Sequence, residues 1–398
     1  MKVLFLSNRV PFPPNDGGTV GVYQALMGLV DLGIDVTFFS LNPSRNHTNI
    51  EDTKELERIP HKYIYNINTD ITAWGALSNL LQNKSYHISR FYNQSIANNL
   101  AELLQQNRYD IVHFDGLQIT VYLDIVRQHS QAKCVMRAAN VEHKIWEGLA
   151  ANETNILKKW YLKTAAKQLK TYELTTIKKL DGIISVSIED KDFFKQSGYN
   201  KPIHIGYTGF DVTKLPAITN VENCIYHIGA MDWMPNIEGL RWFMKEVWPL
   251  VHSQKPDYIL HLAGKNMGEE FYQYQNLNVK NHGQVFNAME FVADKSTLIV
   301  PLFSGSGMRV KTVEAMAMGK CIIGTEMAAQ GLPSDVKKYL IIVNSAQEFA
   351  EKIIYYAHNP DEANALGQQA KLYAMKHFEV KQIAESVVQY YNTVAKIK

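Results

Sequence analysis

Cysteine is scarce: Cys134, Cys224 and Cys321 are the only three in 398 residues. They are odd in number and far apart, and each opens an apolar run. A disulfide-stapled framework is therefore excluded, and buried free thiols in a reducing compartment are expected. Long hydrophobic runs are also missing. No stretch approaches the ~18 consecutive apolar residues that mark a membrane-crossing helix, which excludes one here. Neither sign of charge dominates, since 41 Lys and Arg stand against 39 Asp and Glu, a formal net charge of +2. Such a balance gives the chain no overall claim on nucleic acid. There is no low-complexity tract and no His/Cys spacing of the kind that binds zinc. The opening "MKVLFLSNRVPFPP" has a short apolar stretch, but prolines follow at once and no small-residue cleavage site appears. It is expected to be a first core strand of a cytoplasmic protein, not a secretion signal.

What the sequence does contain is one opening phrase used twice. Lys2 to Ser7 has strand character, "NRVPFPPNDGG" follows, and Val22, Leu26, Leu29 and Val30 continue at helical spacing. Cys224 to Ile228, "GAMDWMPN", and then Ile237, Leu240, Phe243 and Val247 repeat the phrase. Each is the start of a Rossmann-like unit. After the first come "IDVTFFSL", "YDIVHFDG", "AKCVMRAAN" and "DGIISVS"; after the second come "DYILHLAG", "LNVKNHG", "STLIVPLF", "CIIGT" and "YLIIV". Strands alternating with helices imply parallel sheets covered on both faces, hence two α/β domains. The polar, weakly periodic "TGFDVTKLPAITNVEN" marks the boundary. The expected division is 1–212, 213–375 and one amphipathic C-terminal helix over 376–398.

The most informative stretch is "FSGSGMRVKTVEAMAMGK", Phe303 to Lys320. It reads as the end of a strand, a glycine loop and a helix start, a design that turns backbone N–H groups and a helix N-terminus toward an anion. A P-loop would place Lys311 and Thr312 correctly from Gly305 but needs a second glycine where Val310 stands. A dinucleotide fingerprint matches Gly305 and Gly307, with Glu326 in the place of the ribose acid, and fails at the same valine. A loop whose glycines serve only the turn leaves Arg309, Lys311 and Glu314 clustered without a reason.

These features together resemble the retaining glycosyltransferase family 4. The resemblance covers nearly the whole chain. It is carried by "RVPFPPNDGG", "YDIVHFDG", "ANVEHKIWE" and "DGIISVSIEDKDFF" in the first half. In the second it is carried by "GAMDWMPNIEGLRWFMKEVWP", "HLAG" and above all "PLFSGSGMRVKTVEAMAMGKCIIGT". It implies the GT-B fold, two Rossmann-like domains facing across a cleft with the C-terminal helix packed back on the N-terminal domain. The implied activity is transfer of a sugar from a nucleotide diphosphate-sugar, a UDP-sugar ahead of a GDP-sugar, to a hydroxyl on a surface polysaccharide, lipid-linked saccharide or glycoprotein glycan. No other cofactor and no metal are implied. Donor contacts then fall to Gly17, Gly18, Gly305, Ser306, Gly307, Met308, Thr312 and Glu314. Leaving-group stabilisation falls to Lys311 ahead of Arg309, with His113 and Asp115 as further catalytic candidates and Asn140, Glu142 and His143 toward the acceptor. Three departures stand out. Ser306 occupies the position of the family's first glutamate, "GAMDWMPN" lacks the usual Arg and Lys, and Asp115 stands where the family has its second His. A sugar-nucleotide epimerase and a noncatalytic nucleotide-sugar binder remain as rival readings.

Two further segments have two readings each. Asp190 and Asp192 in "EDKD" imitate a metal-binding pair, but Ser187 three residues before Asp190 reads as a helix cap. Within "NILKKWYLKTAAKQLKTYELTTIKKL", Glu173 is the only acid. Leu157, Trp160/Tyr161, Thr164/Ala165, Leu169 and Tyr172 form one helical stripe and Lys159, Lys163, Lys167 and Lys170 another. This is either a core-facing stripe with a solvated basic face, or a contact of residues 155–180 with the inner face of an anionic membrane.

Overall fold

The computed structural model describes residues 1–14, 17–218, 220–305 and 307–396. The chain divides into two compact units, Met1–Thr208 with Ile383–Lys398, and Gly209–Gln382. The division therefore falls at the start of the polar segment. Among the described residues no helix is long and apolar enough to cross a membrane.

In the first unit seven parallel strands run β1 (Lys2–Ser7), β2 (Asp35–Pro43), β3 (His61–Ile67), β4 (Ile111–Asp115), β5 (Lys133–Ala138), β6 (Gly182–Ser185) and β7 (Ile203–Ile205). Their order in the sheet is β3-β2-β1-β4-β5-β6-β7. The central strands are apolar on both faces because helices cover both. Leu4 and Leu6 of β1 join one core layer, while Val3 and Phe5 join the other. That second layer also takes Tyr390, Tyr391 and Val394. Each fully buried Leu or Phe contributes about 1.5–3 kcal/mol. The helices that bear on function are α1 (Gly17–Asp31), α2 (Ala73–Leu81), α3 (Tyr86–Ser89), α4 (Glu142–Asn152) and α5 (Ile156–Lys178).

The second unit holds β8 (Glu222–Ile228), β9 (Leu260–Ala263), β10 (Val279–Asn281), β11 (Lys295–Val300), β12 (Cys321–Gly324) and β13 (Ile341–Ile342). All pair parallel, in the order β10-β9-β8-β11-β12-β13. Here α6 (Met234–Trp242) follows β8 and α7 (Val310–Ala317) follows β11. The last helix, α8 (Val380–Ala395), begins after 376, the expected start of the C-terminal segment, and from Ile383 onward counts with the first unit.

Three expectations need correction. β3 and β7 are missing from the expected strands. Both are edge strands: β3 is mostly exposed or half-buried and β7 is three residues long, so neither shows the continuous apolar run of a buried parallel strand. The stripe on α5 does not face the core along its length. Leu157 is 80% and Trp160 61% exposed, whereas Leu169 is fully buried.

Candidate active site

In the second sheet the strand order reverses between β8 and β11, and ligands of open α/β sheets bind beyond the carboxyl ends at such a reversal. The glycine loop leaves β11 there. Gly305 has φ +122° and Gly307 φ +75°, conformations that an L side chain resists. A Cβ at Gly305 would also lie 2.8 Å from both the Arg309 guanidinium and the Trp233 ring.

Arg309 is the cap residue of α7 and only 5% exposed. Its guanidinium stands 5.1 Å over the Trp233 ring. It donates to the Met327 carbonyl at 3.3 Å and to the Gln330 side chain. Burial lowers its pKa to about 10, so it stays charged at neutral pH. Its donors serve the loop's own architecture.

Lys311 is placed differently. Its Nζ donates to Asn236 Oδ1 at 3.0 Å, and Asn236 is itself held by donating to the Ala230 carbonyl at 2.8 Å. The ammonium thus reaches back to the turn after β8, where a Cβ on Gly229 would lie 2.7 Å from Nζ. Burial and then Arg309 lower its pKa to about 7, with Glu314 opposing. Glu314, three residues on along α7, is raised to about 7 by burial, with Lys311 opposing. Its carboxyl accepts no hydrogen bond among the described residues. His227, at the end of β8, donates from Nδ1 to the Ile299 carbonyl at 3.1 Å and leaves Nε2 buried without a partner. Burial and Lys311 depress its pKa to about 3, so it is neutral.

The other expected donor contacts separate. Thr312 is fully buried and its hydroxyl donates to the Ala328 carbonyl at 2.9 Å, so the side chain is enclosed within the unit. Met308 lies under Gly331, where a Cβ would sit 2.7 Å from the Met308 Cα. Ser306 lies outside the described residues.

In the first unit the order reverses between β1 and β4. Gly17 and Gly18 begin α1 with exposed backbone. His113 and Asp115 of β4 are 1% and 3% exposed. His113 Nδ1 meets the Tyr391 hydroxyl at 2.6 Å, its Nε2 faces Asp115 at 3.4 Å, and its ring stacks on Phe5 at 4.3 Å. Arg137 of β5 donates to Asp115 at 3.2 Å. Burial works against ionising Asp115, but Arg137 and then His113 outweigh it and hold the carboxyl below the usual range. Burial likewise keeps His113 neutral. The group forms an internal network tying the sheet to α8. Asn140 and Glu142 are half-buried, and His143 is buried against Glu173 of α5 at 2.5 Å. Glu173 also accepts the Glu142 and His143 backbone N–H groups at 3.0 and 3.2 Å, which caps α4.

The "EDKD" segment follows a cap: Ser187 Oγ accepts from Asp190 N at 3.1 Å. Among the described residues one trio of potential metal ligands converges, Glu222, Cys224 and His261. It sits at the amino end of β8, where His261 also contacts His282 at 2.9 Å and buried Lys295 adds a positive charge. No sequence spacing announces this trio. Nor does any spacing announce Asn236, Trp233, Arg137 and Glu173 as partners of Lys311, Arg309, Asp115 and His143. The first two stand inside the quoted "GAMDWMPN", the one signal that pointed to them.

Known proteins match both units of the chain. A family model described as Glycosyltransferase Family 4 matches residues 15–214, and one described as Glycosyl transferases group 1 matches 222–359. Together with the two parallel sheets they define a glycosyltransferase of the GT-B fold. The chain belongs to the glycosyltransferases that these two models describe. A relative named as an uncharacterized 44.6 kDa protein in the cps region of Klebsiella pneumoniae is 22% identical over 97% of this chain and 98% of its own. The fold is similar to sucrose-phosphate synthase from Thermosynechococcus elongatus, with TM-score 0.70, 16% identity and 99% of each chain covered. It is similar to Staphylococcus aureus TarM, solved as a point mutant with UDP, Fondaparinux and α-GlcNAc-glycerol, with TM-score 0.68, 14% identity, and 98% and 100% coverage. Anabaena Alr3699/HepE in complex with UDP gives TM-score 0.64, 14% identity, and 99% and 100% coverage.

Proposed function

We propose that the protein is a retaining, metal-independent hexosyltransferase that uses a nucleotide diphosphate-sugar, a UDP-sugar ahead of a GDP-sugar. The acceptor is a hydroxyl of a surface polysaccharide, a lipid-linked saccharide or a glycoprotein glycan. The observation that supports this most is Lys311 lying across Gly229 at the β8/β11 reversal, with an unbonded Glu314 carboxyl one turn on. An ammonium and a diol acceptor at that spacing suit the diphosphate and the ribose of a nucleotide. Lys311 then supplies from α7 the cation that the turn after β8 lacks, and Arg309 acts as a positioning residue. UDP in the HepE and TarM structures favours the uridine donor. In the reaction the sugar–phosphate C–O bond breaks with its electron pair passing to the diphosphate. The acceptor oxygen bonds the sugar carbon, and its proton passes to the departing phosphate. The protein works in the cytoplasm, against the inner membrane face where a lipid-linked acceptor is carried.

Product analysis after incubation with UDP- and GDP-sugars tests the reading; an epimerised donor, or binding without turnover, overturns it. Glu314→Gln is expected to weaken UDP binding by about 1–3 kcal/mol, the scale of a hydrogen bond to a charged group. Calorimetric titration that finds parental affinity removes Glu314 from the ribose. Transfer is expected to survive EDTA and the Asp190→Ala, Asp192→Ala double substitution. Inactivation by EDTA that Mn²⁺ or Mg²⁺ reverses would refute metal independence.

A further inference from the structure

We propose that Glu222, Cys224 and His261 form a zinc site that pins β8 to β9 at the amino edge of the second sheet. Residues two apart on a strand share a face, so Glu222 and Cys224 point the same way. Tyr226, the next residue on that face, pairs in register with His261 of β9, which brings the imidazole to the same side. The ligand atoms of the trio, one carboxylate oxygen, one sulfur and one ring nitrogen, all lie within 4.8 Å of one another.

The imidazole is what calls for an ion. His261 is 5% exposed, and its Nε2 is buried with no hydrogen bond. Yet Nε2 stands only 3.1 Å from Glu222 Oε2. Two groups that close without a hydrogen bond between them are placed as neighbouring ligands of one ion are. With bonds of about 2.0–2.1 Å, a tetrahedral zinc holds its nitrogen and oxygen ligands about 3.3 Å apart. The other ring nitrogen is already committed: His261 Nδ1 meets His282 Nε2 at 2.9 Å, and the two rings stack at 5.2 Å. With the shared proton on Nδ1, that contact selects the tautomer whose lone pair is on Nε2. A zinc-bound histidine normally has such an outer partner on its second nitrogen. A buried ring nitrogen left without any partner is unfavourable, and a cation removes that cost.

The donor set selects the metal. A thiolate with an imidazole and one carboxylate suits Zn²⁺, whereas Mg²⁺ and Ca²⁺ call for oxygen donors. The charges agree with that choice. Thiolate and carboxylate together offset the two positive charges of the ion. Buried Lys295 is already matched, because it donates at 2.7 Å to both the Asp294 carboxylate and the Phe291 carbonyl. Binding displaces the Cys224 thiol proton to the buffer. The Glu222 side chain is 39% exposed while Cys224 is fully buried, so the ion enters past Glu222, and on that side a water completes the tetrahedron. The trio lies at the opposite end of the strands from Lys311 and Glu314. A zinc there holds two strands together and takes no part in the metal-independent transfer proposed above.

Titration of the full-length protein with Co²⁺, after treatment with a chelator, tests the site. One ion per chain is expected, with a near-ultraviolet thiolate-to-cobalt band and the intense visible bands of a tetrahedral ion, both abolished by Zn²⁺. Cys224→Ser is expected to lose the near-ultraviolet band, while Cys134→Ser and Cys321→Ser keep it. Glu222→Gln, at a half-exposed position where it cannot disturb the core, is expected to weaken Zn²⁺ binding about a hundredfold, and His282→Phe about tenfold. Zn²⁺ is expected to raise the thermal unfolding midpoint of the parent protein and, at the same concentration, to leave that of Glu222→Gln where it was. No near-ultraviolet band in the parent protein, persistence of the band in Cys224→Ser, or parental Zn²⁺ affinity in Glu222→Gln overturns the proposal.

Discussion

Lys311→Ala is expected to lower kcat by about 10²- to 10³-fold, with a smaller rise in donor KM. Breaking the sugar–phosphate bond adds negative charge to the diphosphate, and the proposed reaction has no metal to absorb it. A lysine fixed by Asn236 at 3.0 Å in a half-buried site needs no reorganisation to meet that charge. It is therefore worth about 3–4 kcal/mol more to the transition state than to bound donor. The alternative cation, Arg309, already donates to Met327 and Gln330 and stacks on Trp233. Arg309→Ala is expected to loosen the loop and raise KM as well as lower kcat. Lys311 and Glu314 have opposite pH signatures. Lys311 is depressed to about 7 in the free protein, so its charged form prevails below that pH and is lost as pH rises through it. Glu314 is raised to about 7, so its carboxylate prevails above and is lost as pH falls. Thus kcat/KM is expected to peak near pH 7, and the alkaline limb is expected to vanish in Lys311→Ala. Parental kcat in that variant, or an unchanged alkaline limb, would move the leaving-group cation elsewhere.

The sequence shows the glycine loop and the double Rossmann-like opening clearly, because both are local. Gly305 and Gly307 stand where positive φ is needed, and apolar runs such as "TLIVPLF" belong to strands buried on both faces. Edge strands are harder to see. "HKYIYNI" shows neither a continuous apolar run nor a strict alternation, since its first three residues are exposed and only Ile67 is buried, and its polar residues hide it among loops. Partnerships between distant segments are harder still. Nothing in the spacing of Asn236 and Lys311, 75 residues apart, says that one holds the other. The β8 turn and the α7 helix meet only because strands distant in sequence are neighbours in the sheet. The same holds for Tyr391 against His113, 278 residues apart. Helical periodicity on α5 is readable as a stripe, but that Leu157 and Trp160 meet solvent while Leu169 meets the core depends on which neighbours cover each turn, which periodicity does not contain.

Glu173→Ala is expected to destabilise the first unit by about 3–5 kcal/mol, the scale for removing one partner of a buried charged contact. Glu173 is 1% exposed and accepts from three donors, the Glu142 and His143 backbone N–H groups and His143 Nδ1. Its loss leaves two amide donors at the α4 N-terminus and a buried imidazole without their acceptor. The acceptor reading of Asn140, Glu142 and His143 makes a different forecast. If His143 meets the acceptor, its tautomer matters more than its burial, and Glu173→Ala should raise acceptor KM while thermal unfolding barely moves. Urea unfolding followed by tryptophan fluorescence, together with acceptor KM in the same variant, separates the two. Since UDP is proposed to bind in the second unit, its affinity is the internal control and should stay at the parental value under either outcome. A large fall in stability with acceptor KM unchanged would make the His143–Glu173 pair a clasp between two helices. Any acceptor contact from this stretch would then fall to Asn140 and Glu142, which are half-buried where His143 is enclosed.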